Sequence, residues 1–431
     1  MSRSSSRRQF LRYGTGAAAA ALTPGCGAPR PAGVASLRSA SLNGAVTATT
    51  PSPSAMVVKA TPSLYFTSRE AGSQEMNWGP VKDYTATVPN GRFYVHNRTR
   101  PPSIDRQSWR LEIAGSAITR PRSLTYAELQ AMPQVTLRRV LDCGANCRAF
   151  FPPLPPRAAG WLPIGFTQWH FGAMGVADWT GIPLRDLLEA AGLEGAVDVM
   201  FTGLDEIPTG NTTARYGQVV SVDKALAADT ILVLRMNGEE LPVDHGWPLR
   251  VLFSGWGGNT AVKWLGRIEA AKQKIPHPLF QARQVIAGPD VPRTFTPTTG
   301  HVRSAMELDA DTTLAPGDIV LRGRAWSGAG AIDRVDISVE KLVAPGTFRP
   351  LWSPAWRQAR LLGRPEPFVW ARFELAWPGA TPGRYRVMTR ARDAAGNVQP
   401  APEAVVWNQQ GLGYNGHAPL ELAVMPPATM P

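Results

Sequence analysis

The chain has 431 residues, of which 44% are hydrophobic and 18% are charged, and its formal net charge is +12. This composition is that of a globular protein, and the length allows two domains. The positive charge is spread along the chain without a basic run or an aromatic-basic repeat. Nucleic acid is therefore not the expected partner, whereas an acidic protein or an anionic substrate fits the charge better.

The N-terminus, residues 1–26, has the features of an export signal. Arg7 and Arg8 precede an apolar, alanine-rich run, and this pair of arginines indicates the twin-arginine route. A disordered basic tail is the alternative. Cys26 stands where a lipoprotein would be cleaved, although Pro24 fits that interpretation poorly. No later segment reaches the roughly 18 apolar residues that a membrane-spanning helix needs. We expect a periplasmic protein that is soluble or tethered only by lipid.

The next segments alternate between loop-like and ordered composition. Residues 27–60 are rich in Ala, Ser, Thr, Pro and Gly, which predicts a flexible segment. Residues 61–290 mix short apolar runs with helix-like stretches, which is an α+β pattern. Within them, WTGIPLRDLLEAAGL (179–193) predicts a helix because its leucines fall on one face. ADTILVLRMNGEELP (228–242) predicts a strand, an Asn-Gly turn and a second strand.

The C-terminal part has a different pattern. Residues 291–317 carry several prolines and few long apolar runs, so we predict a linker there. Residues 318–431 contain alternating strands separated by Gly, Pro and Asn turns, and short strands at such spacing predict a β-sandwich.

Two cysteines lie four residues apart in LDCGANCRAF (141–150). In an exported protein such a pair first suggests a disulfide, but a three-residue spacer permits the required geometry only in some turns. A structural zinc site needs a second cysteine pair, and c-type haem needs C-x-x-C-H; the sequence contains neither. The residue types leave open whether Cys143 and Cys147 are buried free thiols, a disulfide, or include a cofactor ligand or nucleophile.

The surrounding motifs resemble those of the sulfite oxidase family of molybdenum enzymes. LDCGANCRAFFPP and QWHFGAMGVADWTGIPLRDLL are similar to the family's L-x-C-A-G-N-x-R, W-x-x-G-A and W-x-G-x-x-L-R-D-x-L motifs. The resemblance continues in order through RFYVHNRTRPPSIDRQSWRLEIAG, LPVDHGWPLRVLFSGWGGNTAVKWLGRIE and the C-terminal strands around GRAWSG. It implies an α+β molybdopterin-binding domain followed by an immunoglobulin-like β-sandwich, and a homodimer.

The resemblance implies a molybdenum–molybdopterin cofactor with one protein ligand to the metal, Cys143. A thiolate suits a soft, redox-active metal. Cys147 is then a small buried residue and not a second ligand. The positions that match family cofactor contacts are Asn97, Arg98, Asn146, Asp205, His245, Arg250, Ala261, Val262 and Lys263. Arg98 replaces the family's histidine, and an arginine can still hold an anion.

The implied substrate pocket departs from the family. Arg148 and Trp169 match an arginine and a tryptophan near the metal, and His96 stands where a second arginine is usual. Gln410 replaces a C-terminal arginine, and the segment after Lys263 lacks the family's tyrosine. The fold and the cofactor are therefore better defined than the substrate.

The implied reaction is oxygen-atom transfer to a sulfur compound, either a small molecule or sulfur held on a carrier protein. Because the chain has no haem motif, electrons would pass to a separate c-type cytochrome. One alternative is a periplasmic sulfoxide-type reductase on the same cofactor, but those enzymes lack the C-terminal sandwich. A second is a non-catalytic exported binding protein with an adhesive sandwich.

Overall fold

A computed structural model of the chain describes residues 56–84, 86–152 and 167–426. The predicted export signal and the segment up to residue 55 lie outside the described residues. Among the residues that are described, no helix is long and apolar enough to cross a membrane.

Before residue 300 the described chain forms many strands and a few short helices. The strands are β1 (Phe66–Glu70), β2 (Ser73–Met76), β3 (Val95–His96), β4 (Arg110–Ala114), β5 (Arg122–Thr125), β6 (Val135–Asp142), β7 (Met174–Pro183), β8 (Asp198–Gly203), β9 (Ile207–Thr209), β10 (Thr212–Ala214), β11 (Gly217–Ser221), β12 (Thr230–Met236), β13 (Glu239–Glu240), β14 (Arg250–Phe253) and β15 (Leu265–Ala271). The helices are α1 (Tyr126–Ala131), α2 (Leu184–Ala190), α3 (Val222–Ala225) and α4 (Leu279–Arg283). Because these helices have four to seven residues, strands dominate the predicted α+β region.

Two five-stranded sheets form the centre of this region. One has the order β11-β8-β15-β4-β5, and the other has the order β13-β12-β7-β6 with β14 also paired to β12. A small sheet, β1-β2-β3, lies at the N-terminal side of the chain. Strand β12 contributes residues to two different hydrophobic cores, because alternate side chains point to opposite faces. This explains why its sequence is almost continuously apolar.

Both local predictions for this region are confirmed. Helix α2 buries its three leucines, as the spacing predicts, and the helix is followed by Gly192 with a φ of 71°. Asn237 and Gly238 connect β12 to β13 with φ values of 52° and 80°. Positive φ at both positions is typical of the type I′ turn that Asn-Gly favours in hairpins.

The C-terminal part consists of strands in two sheets. The strands are β16 (Arg303–Met306), β17 (Thr313–Leu314), β18 (Gly317–Trp326), β19 (Ile332–Ala344), β20 (Thr347–Pro350), β21 (Trp356–Gln358), β22 (Arg360–Leu362), β23 (Ala371–Ala380), β24 (Gly383–Asp393) and β25 (Leu420–Val424). One sheet has the order β16-β18-β23-β22, and the other has β17-β25-β24-β19-β20 with β21 paired to β19. Buried residues of both sheets form one hydrophobic core. The segment 291–317, predicted as a linker, includes β16 and β17.

Candidate cofactor and active site

Nearly all of the predicted site residues line a cavity of about 800 Å³. The predicted residues on its wall are His96, Asn97, Arg98, Cys143, Arg148, Trp169, Asp205, His245, Arg250, Ala261 and Lys263. Gln410 also lines it. Asn146 and Val262 do not line the wall. The cavity is therefore built from segments spread along almost the whole described chain.

Cys143 follows strand β6 and faces this cavity. Its backbone N–H donates to the carbonyl of Ala173 at 2.9 Å, and the residue is 8% exposed. Burial raises the pKa of the Cys143 thiol, and the charge of Arg148 acts in the opposite direction. A metal cation bound to the sulfur would stabilise the thiolate form.

Cys147 lies behind the cavity wall and forms no disulfide with Cys143. It has a φ of 67°, and its backbone N–H donates to the carbonyl of His170 at 2.6 Å. The side chain is buried, and burial raises the pKa of its thiol. Of the alternatives that the sequence left open, the disulfide is therefore wrong, and Cys147 is a buried free thiol.

Asn146 supports the loop that carries Cys143. Its side-chain amide donates to the carbonyl of Phe171 at 3.2 Å and accepts from the N–H of Ala173 at 3.1 Å. The residue is fully buried. The structure therefore places Asn146 behind Cys143, and not on the cavity surface where a cofactor contact was predicted.

Two cations, Arg250 and Lys263, lie next to His245 and Asn97 in the cavity wall. Arg250 donates from Nη1 to the carbonyl of His245 at 2.9 Å, but Arg250 Nε and His245 Nε2 are buried without a hydrogen-bond partner among the described residues. Lys263 Nζ donates to the carbonyl of Asp244 at 2.9 Å and also to the side chain of Asn97. Burial lowers the pKa of Arg250 to about 10 and that of Lys263 to about 7.

These unsatisfied groups fit the phosphate of the expected cofactor. A buried donor without a partner costs roughly 1–3 kcal/mol, and a phosphate would satisfy several at once. Near Cys143 the protein offers the metal a single thiol, because the described residues hold no cluster of three or more His, Cys, Asp or Glu side chains suited to a metal ion. The remaining metal ligands must come from a cofactor, as a pterin dithiolene would provide. The residues present therefore fit the molybdenum cofactor.

Asp205 lies beside a tyrosine that the sequence did not reveal. Its carboxylate accepts from the backbone N–H of Tyr216 at 3.2 Å, and burial raises the pKa of this carboxyl. Tyr216 lines the cavity, donates its hydroxyl to the carbonyl of Asn259 at 2.5 Å and contacts the side chain of Gln284. The resemblance to the family implied a pocket tyrosine only after Lys263. The pairing of β11 with β8 brings Tyr216 here, and no local sequence signal marks it.

Arg148 is a firmly held cation on the substrate side of the cavity. Arg148 donates from Nε to the carbonyl of Gly411 at 3.2 Å and from Nη1 to that of Thr167 at 3.0 Å. Burial lowers the pKa of its guanidinium to about 10, so it remains charged at neutral pH. Arg148 is thus a fixed positive charge close to Cys143.

His96 is neutral at this end of the cavity. Its Nδ1 lies 2.9 Å from the hydroxyl oxygen of Ser73. Burial lowers the pKa of the imidazole to about 3, helped by the positive charges of Arg98, Lys263 and Arg148. His96 is therefore unprotonated at neutral pH and does not replace the positive charge that an arginine carries at this position in the family.

Residues 56–59 lie beside the cavity, and we call them the N-terminal strap. The backbone N–H groups of Val58 and Lys59 donate to the carboxylate of Asp244 at 3.0 and 2.8 Å. The carbonyl of Met56 accepts from Asn97 Nδ2 at 2.8 Å, and Met56 lines the cavity. The composition placed these residues in a flexible segment, whereas the structure holds them against Asp244, which the sequence also did not indicate.

Two family models match the chain. Residues 98–279 match the oxidoreductase molybdopterin binding domain, and residues 301–418 match the Mo-co oxidoreductase dimerisation domain. Met56, Tyr94 and His96 precede the first match, although all three line the same cavity.

Known proteins show the same relationship over most of the chain. Sulfite oxidase of Gallus gallus is 32% identical over 345 residues, covering 75% of this chain and 70% of that protein. Mitochondrial sulfite oxidase of Rattus norvegicus is 29% identical, and the match covers 79% of this chain but only 62% of the relative. The sulfane dehydrogenase SoxCD from Paracoccus pantotrophus shares the fold, with a TM-score of 0.66 and 22% identity over 84% of this chain and 87% of that chain.

Proposed function

The chain belongs to the sulfite oxidase family of molybdopterin oxidoreductases, and from this premise we propose that it oxidises a sulfur compound by oxygen-atom transfer. The observation that carries the proposal is Cys143, a buried free thiol that faces a cavity whose wall also holds two buried nitrogens without a hydrogen-bond partner among the described residues, Arg250 Nε and His245 Nε2. When bound, the molybdenum cofactor supplies the oxygen-atom transfer and the two-electron redox chemistry.

The protein's own residues hold and orient the reactants. Cys143 is the metal ligand. The imidazole of His245, which burial keeps neutral by lowering its pKa, and the side chains of Arg250 and Lys263 hold the phosphate of the pterin. Arg148 attracts an anionic substrate and stabilises negative charge near the metal. Trp169 is 1% exposed and forms an apolar wall beside this arginine.

The charges of the cavity favour a substrate with less negative charge than sulfite. A pocket for a small dianion normally gathers several cations, because each charge-assisted hydrogen bond contributes roughly 1.5–3 kcal/mol. Here His96 is neutral and Gln410 carries no charge, so the positive charges that act near Cys143 are those of Arg148 and Arg98. We propose a larger or less charged sulfur compound, or a sulfur group carried on a partner protein.

The electron acceptor and the assembly are part of the same proposal. No haem motif is present in the sequence, so a separate c-type cytochrome would take the electrons, and the net positive charge suits an acidic partner. The C-terminal strands match a dimerisation domain, which supports a homodimer built on an immunoglobulin-like sandwich. The same match argues against the sulfoxide-type reductase. Membership of an oxidoreductase family sets aside the non-catalytic alternative.

Metal analysis and a substrate screen test the proposal. Purified protein should contain about one molybdenum per chain, and it should reduce an artificial acceptor with at least one compound among sulfite, thiosulfate and protein persulfides. Protein without molybdenum would overturn the proposal. So would molybdenum-loaded protein that reduces sulfoxides but oxidises none of these compounds.

A further inference from the structure

A buried ion pair lies directly beside the metal ligand. Asp142 is the last residue of β6, and its carboxylate binds the guanidinium of Arg303, the first residue of β16. The indole N–H of Trp326 donates to the same carboxylate at 3.0 Å. Asp142 is 4% exposed and Arg303 is 2% exposed. The pair therefore joins the strand that ends just before Cys143 to the C-terminal sheets.

Arg303 also holds the C-terminal part of the cavity wall. Its Nε donates to the carbonyl of Tyr414 at 2.7 Å. The segment 410–414, which we call the C-terminal wall segment, contributes Gln410 and Leu412 to the cavity. The N–H of Gly413 in this segment donates to the carbonyl of Gly144 at 2.9 Å. One guanidinium is thus bound on one side to the residue before Cys143 and on the other to the segment that carries Gln410.

Stability alone does not account for this pair. Desolvating two charges costs several kcal/mol, so a buried ion pair often stabilises a fold no more than apolar side chains of the same size would. An arginine–carboxylate pair does fix geometry, because the planar guanidinium holds the groups that it binds in defined relative positions.

We infer that Arg303, through Asp142 and the carbonyl of Tyr414, is a positioning residue that sets the distance between Cys143 and the substrate-side wall at Gln410. The inference deepens the proposed function and rests on it. Loss of the pair lets the Cys143 loop and the C-terminal wall segment move apart. This changes both the environment of the metal and the affinity for the substrate.

Three variants test the inference: Asp142→Asn, Arg303→Lys and Arg303→Met. The matched control is Arg324→Met, which removes the Arg324–Glu307 pair, of side-chain exposures 0% and 2%, from the same sheet. Arg324 also links the two halves of the chain, through the carbonyl of Val81 at 2.7 Å, but it does not line the cavity.

Two readouts are independent of turnover. The first is amide hydrogen exchange of the peptides covering 141–148 and 410–415 in the cofactor-free protein. The second is the electron paramagnetic resonance spectrum of the reduced metal in loaded protein. Arg303→Met and Asp142→Asn should speed amide exchange in both peptides at least tenfold and should shift the spectrum of the metal. In Arg303→Lys, both the exchange rate and the spectral shift should be intermediate between those of the wild type and of Arg303→Met. Arg324→Met should lower the melting temperature but leave both readouts unchanged.

The results separate the competing explanations. Unchanged exchange and spectra in Asp142→Asn and Arg303→Lys would overturn the inference, even if Arg303→Met fails to fold. Equal changes in Arg324→Met would also overturn it, because they would indicate general loosening. Wild-type protein that binds no molybdenum would instead refute the proposed function, while the exchange measurement on cofactor-free protein would still decide the inference.

The inference also predicts a kinetic effect in the loaded enzyme. In Arg303→Lys, KM for the substrate should rise at least fivefold while kcat changes less.

Discussion

The imidazole of His96 lies against the indole of Trp169, with ring centroids 5.6 Å apart and planes inclined by 80°. Trp169 packs in the same edge-to-face manner against Tyr94, at 6.4 Å and 82°. Such edge-to-face pairs contribute about 0.5–1.5 kcal/mol beyond the area they bury. The substrate side of the cavity is therefore a rigid aromatic wall, in which His96 is a neutral member.

The neutral state of His96 predicts the pH dependence of substrate binding. Its pKa is about 3 in the folded protein, below the ordinary value of 6.5, so the ring carries no charge between pH 5 and pH 8. The KM for an anionic substrate should therefore show no transition near pH 6.5 that depends on His96. The pH profiles of KM for the wild type and for His96→Gln should have the same shape. The measurement is KM from pH 5 to pH 8 for both proteins. A transition present in the wild type and missing in the variant would show that His96 does titrate in this range.

Arginines introduced at the two substituted positions should create a better sulfite site. Each new charge-assisted hydrogen bond contributes roughly 1.5–3 kcal/mol, which corresponds to about 10- to 100-fold in affinity. The double variant His96→Arg with Gln410→Arg should therefore lower the KM for sulfite at least tenfold, whereas the neutral control Gln410→Met should not. The wild type should bind sulfite weakly, and a micromolar KM for the wild type would contradict the proposed preference.

The two cysteines should respond differently to the same small substitution. Cys143→Ser should lose the metal ligand and all activity while the fold remains, because one sulfur is exchanged for one oxygen. Cys147→Ser should retain molybdenum, since this thiol lies behind the cavity. Metal content and circular dichroism of both variants check this. Loss of molybdenum from Cys147→Ser would show that the single-ligand assignment is wrong.

Removing the carboxylate of Asp244 should release the N-terminal strap. Asp244 accepts hydrogen bonds from Val58, Lys59 and Asn97, and unsatisfied buried donors cost roughly 1–3 kcal/mol. In Asp244→Ala, trypsin should cleave after Lys59 at least tenfold faster under native conditions. The control is Asp309→Asn, because Asp309 also accepts from a backbone N–H, that of Gly79, but away from the strap. Equal cleavage rates in Asp244→Ala and wild type would show that the strap is held by other contacts.

The export proposal depends on the paired arginines, which lie outside the described residues. Replacing Arg7 and Arg8 with lysine should leave folded, cofactor-loaded protein in the cytoplasm. Cell fractionation with a molybdenum assay of each fraction measures this. Export of the lysine variant at the wild-type level would mean that another route is used.

Signals within a few residues of each other predicted the local elements correctly, and the family motifs predicted most of the residues that line the cavity. Helix α2 and the Asn-Gly turn follow from spacing and turn chemistry within a few residues. The residues missed depend on distant partners. Asp142 and Arg303 are 161 residues apart in the sequence, and Val58 and Asp244 are 186 residues apart. Neither distance can be read from periodicity or composition, because tertiary packing brings these pairs together.

The cavity wall begins at Met56 and ends at Leu412, so the site joins the two ends of the described chain. Contacts of such high contact order form late in folding, because large loops must close before they gain any stabilisation. A nascent chain that still lacks Gln410 and Leu412 has no complete cavity, so the cofactor can be fully enclosed only after nearly all of the described chain has been synthesised. Enclosure of the cofactor would then report that the whole chain has folded, which is the condition that a transport route for folded proteins requires.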